Sequence, residues 1–249
     1  MTSTQNKPVI ISHRGNNFSF PENTLIGLRS AFELGCTAVE FDIQMTADGV
    51  LAIIHDTTTK RTSDTNLSVL DNTFRDLNTA SVHEPRRFAD QYKPTPISRL
   101  EDFLALLDEF PNVHAYIEVK KQSLDRRGHQ DLLSTLLPLV TPYKEQCTII
   151  SFDLHVLEMV KEYSPLSIGW VVNYYNRRSY AHAERVQPEF LIIDQAKLSL
   201  HKRPWQGSWE WMVYGVPNAD LAMQHFKNGV KHVETDHLPV LLSDPRLAP

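Results

Sequence analysis

The chain reads as a (β/α)8 TIM barrel carrying a β-hairpin and a small insertion at its C-terminal face. Three observations predict this. Eight short β-branched runs follow one another along the chain, segments of helical period separate most of them, and no glycine-rich phosphate loop follows the first run. The last point weighs against the rival, an open doubly wound sheet, because "HRGNN" after Ile11 is not the G-x-G-x-x-G turn that a dinucleotide fold needs there. A chain of 249 residues with 41% hydrophobic content can bury a core of that size, and one barrel domain over residues 1–249 is expected.

Taken in order, the strand candidates are "PVIISH" (8–13), "AVEFDIQ" (38–44), "HAYIEVK" (114–120), "CTIISF" (147–152), "LSIGWVV" (166–172), "FLIID" (190–194), "WMVYGV" (211–216) and "KHVETD" (231–236). Between the first two, "NTLIGLRSAFELG" sets Leu25, Leu28 and Phe32 on one stripe with Gly35 as a stop. Before the third, "SRLEDFLALLDEF" begins with a capping box of Ser98 and Glu101. Residues 57–96 break the rhythm. They are polar, hold Pro85, Pro94 and Pro96 and the stretch "TSDTN", and show only a short helical pattern at 73–77, which predicts a loop excursion over the active-site face of the barrel.

Charge and cysteine content narrow the partners. A net charge of −5 and a pI near 6.1 offer no clustered basic surface for nucleic acid or anionic lipid. Cys36 and Cys147 lie in apolar-rich segments and read as reduced core residues. The start "MTSTQNKPVIISHRG" lacks a signal peptide's basic and apolar regions, and no segment has the ~20 apolar residues of a membrane span. A soluble cytoplasmic protein without stable membrane association is expected; oligomeric state is left open.

The stretch "VEFDIQMTADGVLAIIHD" (39–56) carries most of the chemistry. Its Asp48-Gly49 pair signals a hairpin, since a parallel crossover is too long for the gap. A two-residue loop at 48–49 sets Asp42 opposite His55, and a four-residue loop at 46–49 sets Glu40 there; both registers bring the imidazole to the carboxylates. A three-residue loop with a bulge reverses the pairing and turns His55 away.

Strand parity then assembles a site. Glu40 and Asp42 share one face of the second run, Glu118 and Lys120 repeat that spacing on the third, and His13 ends the first. These positions lie near the carboxyl ends of strands, where barrels keep their active sites. Three inward carboxylates need protonation or a cation, and without a nearby cysteine a hard divalent ion, Mg2+ or Ca2+, is the simpler answer. A purely structural ion-pair cluster with Arg14 and Lys120 is the alternative. Two histidines suit a reaction that removes one proton and donates another, while Arg14 and Lys120 supply donors for an anionic group. Together these parts describe cleavage of a phosphoryl ester.

The residues that do this also carry a resemblance. "HRGNNFSFPENT", "VEFDIQMTADGVLAIIHD", "YIEVK", the "SF" of Ser151 and Phe152, and the "ETD" at 234–236 resemble the glycerophosphodiester phosphodiesterase family from Ile11 to about Leu241. The resemblance implies a TIM barrel that hydrolyses a small-molecule glycerophosphodiester to sn-glycerol 3-phosphate and an alcohol with one divalent cation. It makes His13 and His55 the acid-base pair, Glu40, Asp42 and Glu118 the metal ligands, and Arg14 and Lys120 the phosphate contacts. Glu22, Asn23, Phe152 and Trp211 become further substrate contacts. Asn23 reads equally well as a helix N-cap, Glu22 as a plain partner of Arg14, and Trp211 as core. "WMVY" (211–214) stands where the family shows W-T-V-N, so Met212 and Tyr214 depart from its pattern. A lipid-directed phospholipase C or D on the same barrel, or a non-catalytic phosphodiester-binding protein, are the competing functions.

Overall fold

The computed structural model describes residues 6–249. The eight runs become eight parallel strands: β1 (Val9–His13), β2 (Ala38–Met45), β5 (His114–Val119), β6 (Cys147–Ser151), β7 (Ser167–Val171), β8 (Phe190–Asp194), β9 (Glu210–Tyr214) and β10 (His232–Thr235). Each pairs in parallel with the next, and the sheet closes because β1 pairs with both β2 and β10, as in His13 with Glu40 and Ile11 with Glu234. Two short strands, β3 (Leu51–Ile53) and β4 (Ser98–Arg99), add an antiparallel rim outside β2. Among the described residues no helix is long and apolar enough to cross a membrane.

Alternation along the strands sorts side chains into two apolar layers. Ile11, Ala38, Tyr116, Ile150, Val171, Ile192 and Met212 fill the barrel interior. Their neighbours in sequence, such as Ile10, Val39, Phe41, Ile117, Ile149 and Val213, face the surrounding helices and pack against Leu28, Phe32, Phe103 and Leu157. The predicted stripe holds in the helix Leu25–Glu33, where Leu28 and Phe32 are buried, Leu25 packs beside them and Gly35 follows at φ +85°.

Two cap assignments shift by one residue. The N-cap of Leu25–Glu33 is Thr24, whose hydroxyl accepts the Gly27 N–H at 3.2 Å, so Asn23 is not the cap. In Leu100–Leu107 the reciprocal bond is made by Asp102, which accepts the Arg99 N–H at 2.9 Å. Ser98 is drawn instead into pairing with Ile53, which removes the expected Ser98–Glu101 box.

The hairpin register also departs from both favoured pairings. Met45 pairs with Leu51 and Ile43 with Ile53, while Thr46 N–H donates to Val50 O, leaving a three-residue loop with Gly49 at φ +81°. Gly49 supplies the left-handed residue that a type I turn with a G1 bulge requires. In that register Phe41, not Asp42 or Glu40, stands opposite position 55.

The excursion shares a small core with the hairpin rim, in which its Val69, Phe74, Leu77 and Val82 pack with Ala52, Ile54 and Ile97. The expected helical pattern forms as Phe74–Leu77 with Thr73 as its cap, and a second turn forms at Pro85–Phe88. This layer sits on the loop that follows β1: the Glu84 carboxylate accepts the Glu22 N–H, Arg87 donates to Asn17 O, and the Tyr92 hydroxyl donates to Ser19 O.

Candidate active site

A cavity of about 190 Å³ opens at the carboxyl ends of the strands. That size suits a metabolite better than a drug-sized ligand. One wall is charged, with His13, Arg14, Glu40, Glu118, Lys120 and Glu234; the other is apolar, with Ile150, Phe152, Val171, Ile192 and Tyr214.

Strand geometry brings the charged wall together. Glu40 and Asp42 project inward from β2 and are almost fully buried, and Glu118 joins them from β5, where it pairs in register with Asp42. One oxygen from each of these three carboxylates lies within 4.8 Å of the others. Lys120, one residue past β5, reaches Glu118 at 2.8 Å and Asp42 at 3.2 Å. Arg14 sits at φ +53° just after β1, placing its Nε 3.0 Å from Asp42 and its Nη1 2.9 Å from Glu22. Gly15 beside it has no room for a Cβ, which would meet the Gly27 and Leu28 backbone at 2.8 Å.

Asn23 lies in this cluster as a ligand of Asp42: its amide donates to Oδ2 at 3.0 Å and its oxygen accepts the Asp42 N–H at 3.2 Å. Glu22 bridges Arg14 and Arg61, the latter by a bidentate pair at 2.6 and 2.8 Å. Arg61 in turn reaches Asp56, which accepts from His55 Nδ1 at 2.6 Å. His55 lines the cavity although the register is the one expected to turn it away. Regular pairing stops before it. The last ladder bond runs from Ile54 N–H to Asp42 O, and Gln44 Nε2 then holds the His55 carbonyl at 3.0 Å, so the imidazole is not bound by strand parity.

His13 has the same arrangement. Its Nδ1 is 2.5 Å from Asp236, and its Nε2 faces Glu234 at 3.6 Å and Glu40 at 3.8 Å. In each histidine an aspartate on Nδ1 fixes the ring and leaves Nε2 toward the cavity. Glu234, Asp236, Asp56, Arg61 and Tyr214 were not assigned from the sequence. The "ETD" spacing was a usable signal for the first two, because residues two apart in extended chain share a face and barrel closure sets Glu234 on β10, and Asp236 just past its end, beside β1.

Trp211 is the predicted contact that the fold removes. On β9 the inward parity belongs to Met212 and Tyr214, so Trp211 points out into the helix layer. There it is buried, its indole N–H donates to Trp205 O at 2.7 Å, and Tyr175 and Trp205 pack against it. Tyr214 occupies the cavity wall instead. Phe152 lines the cavity.

The electrostatics follow from crowding acids in a dry site. Burial pushes Glu40 well above the usual carboxylate range, with Asp42 and Glu234 adding to it, and burial with Asp42 raises Glu118. Glu234 is pushed up to about 7 by burial, against the opposing pull of His13. Burial also opposes ionisation of Asp42, but Arg14 and Lys120 outweigh it and hold this carboxyl low. Burial alone would depress His13; Glu234, the Asp236 bond and Glu40 overcome it and raise the imidazole to about 10. His55 goes the other way, lowered by burial and by Arg14 and Lys120 despite Asp42.

The carboxylates fit a bound cation. Glu40 Oε1 is buried with no hydrogen-bond partner among the described residues, and Glu40 and Glu118 both resist ionisation as long as no further positive charge is present. A second grouping, His13, Glu40 and Glu234, shares Glu40 with the first.

Residues 13–240 match the model of the glycerophosphoryl diester phosphodiesterase family. The chain belongs to that family. Among relatives of the glycerophosphodiester phosphodiesterase kind, glycerophosphodiester phosphodiesterase 1 of Rattus norvegicus is 37% identical over 131 residues, covering 51% of this chain and 36% of that protein. A glycerophosphodiester phosphodiesterase of Caldanaerobacter subterraneus subsp. tengcongensis is 31% identical over 166 residues, 66% of each chain. The chain therefore aligns with about a third of the rat protein's length. In fold it is similar to an Oleispira antarctica phosphodiesterase solved with the product sn-glycerol-3-phosphate, with a TM-score of 0.81, 20% identity, and coverage of 94% of this chain and 95% of that one. The glycerophosphodiester phosphodiesterase of Agrobacterium tumefaciens superposes with a TM-score of 0.77 at 22% identity, over 95% of this chain and 100% of the other.

Proposed function

We propose that this member of the family hydrolyses small-molecule glycerophosphodiesters to sn-glycerol 3-phosphate and an alcohol, with one divalent cation, Mg2+ or Ca2+, and a pair of histidines. The observation that carries the reading is the convergence of His13 and His55 on one cavity whose charged wall also presents Glu40 and Glu118 beside Arg14 and Lys120, with Asp42 grouped with the two glutamates just behind that wall. Family membership supports the substrate class.

Glu40, Asp42 and Glu118 would hold the ion, and when bound it would neutralise phosphoryl oxygens and draw charge from the phosphorus. Arg14 and Lys120 stand beside the same carboxylates with N–H groups that can turn to phosphate oxygens. The two imidazoles stand in different surroundings, His13 against Glu234, Asp236 and Glu40 and His55 against Asp56 within the field of Arg14 and Lys120, so they need not play the same part. One Nε2 takes the proton of the nucleophile, which is water or the neighbouring glycerol hydroxyl, while the other protonates the leaving alkoxide; if the glycerol hydroxyl attacks, the cyclic phosphate it forms is opened by water in a second step. Asp236 and Asp56 orient the rings through Nδ1. The apolar wall, with Phe152 and Tyr214, packs the carbon skeleton of the ester.

The test is one assay. Glycerophosphocholine is supplied and glycerol 3-phosphate release is followed by a coupled dehydrogenase, before and after treatment with a chelator. Turnover that disappears with the chelator and returns with Mg2+ or Ca2+ supports the reading. Full activity after stripping removes the carboxylates from this role, and no release under any metal condition removes the substrate class.

A further inference from the structure

We propose that Asp64, His83 and Asp90 form a second divalent-cation site, of the Zn2+ type, inside the excursion and apart from the carboxylates at the barrel mouth. His83 is fully buried. Its Nδ1 lies 3.1 Å from Ser81 O, and a carbonyl can only accept, so Nδ1 carries a proton and Nε2 is the free position. Nε2 has no hydrogen-bond partner among the described residues, yet it points at Asp64 Oδ2, 3.6 Å away, and Asp90 Oδ1, 3.8 Å away. Those separations are too long for hydrogen bonds. They are close to the spacing of ligand atoms around a tetrahedral ion, where bonds of about 2.0–2.1 Å set neighbours roughly 3.4 Å apart.

The donor set selects the class of ion. One imidazole nitrogen with two carboxylates suits Zn2+ or Co2+, whereas Mg2+ and Ca2+ prefer oxygen alone. The bond from Nδ1 to a backbone carbonyl is the usual outer support for a metal-binding imidazole. The backbone on either side is pinned as well, with Val82 N–H donating to Thr95 O at 2.8 Å and Glu84 N–H to Thr62 O at 2.9 Å. Lys93 stands at the same carboxylates, its Nζ 3.0 Å from Asp64 and 3.7 Å from Asp90. It is half exposed and can swing into water, so it acts as a place-holder for the ion.

Such an ion would tie together three separate stretches of the excursion. The residue after His83, Glu84, bonds to Glu22 N–H and pairs with Arg87, which reaches Asn17 O. The clamp therefore steadies the layer that rests on the loop carrying Arg14.

The experiment titrates ZnCl2 into the whole chain by calorimetry and, in parallel, CoCl2 while the visible absorption of tetrahedral Co2+ is recorded. Asp64 and Asp90 are exposed, so the double variant Asp64→Asn, Asp90→Asn leaves the core untouched. It should lose one Zn2+ equivalent and the tetrahedral Co2+ band. Lys93→Met should tighten that same equivalent by roughly three- to tenfold, since two surface ion pairs no longer compete. A stoichiometry and spectrum identical in wild type and double variant, or an affinity that Lys93→Met leaves unchanged, would overturn the proposal. The first result would mean that His83 is simply a histidine between two surface acids.

Discussion

His114, at the amino end of β5 and far from the cavity, should make the protein sensitive to mild acid. Its Nε2 bonds to the Thr148 hydroxyl at 2.8 Å, and its ring packs on Tyr116. Burial, with the nearby His232 adding to it, lowers its pKa from 6.5 to about 4. An unfolded chain takes up a proton there as pH falls below 6.5, while the folded protein does not until about pH 4. Stability from this group is therefore present above 6.5 and is lost as pH falls toward 4. Linkage puts the loss at about 2 kcal/mol by pH 5 and about 3 kcal/mol once both states are protonated. His114→Gln keeps a polar group near Thr148 but cannot titrate. Urea unfolding at pH 7.5 and pH 5.0, followed by tryptophan fluorescence, gives the loss on acidification for each protein. Comparing the two losses cancels whatever packing energy the substitution removes at both pH values. Wild type should lose about 2 kcal/mol more than the variant. Equal losses would refute the argument that a desolvated, neutral imidazole stands at this position.

The other expectations concern the site. His13→Ala and His55→Ala should each lower kcat by about 10²–10⁴ in the glycerophosphocholine assay, and a near-normal rate in either variant would break up the pair. Gly15→Ala should destabilise by roughly 2–4 kcal/mol, because a Cβ at φ +79° also strikes the Gly27 and Leu28 backbone; an unchanged Tm would contradict that contact. Trp211→Phe should cost roughly 1–2 kcal/mol through the lost bond to Trp205 O yet leave KM unchanged, whereas Tyr214→Ala should raise KM. The reverse pattern in KM would mean that Trp211, not Tyr214, meets the substrate.

Much of the architecture was legible because it is local. β-branched runs such as "CTIISF" favour extended chain through their own side chains, and Glu40 and Asp42 share a face of their strand since they are two apart. The errors came where two local solutions differ little in energy. Asn23 and Thr24 can both cap a helix, and the choice fell to Thr24 because Asp42, on another strand, engages Asn23 on two atoms. The "TADG" turn announces a hairpin, but one residue's left-handed φ decided between registers. Trp211 carries no mark of its parity; that became visible only with Met212 inside the barrel and Trp205 outside it.

The sequence by itself determined the order of strands and helices, the reversal at Gly49, and the pairs of acids two residues apart, since each depends on residues within a few positions of one another. Only the tertiary structure decided which charges meet. Asp236 reaches His13 because closure sets β10 against β1, and Arg61 reaches Glu22 because the excursion packs on the loop that follows β1. Those contacts join residues far apart in the chain, where the strength of an ion pair depends on burial and on every neighbouring charge, and neither quantity exists until the barrel has closed.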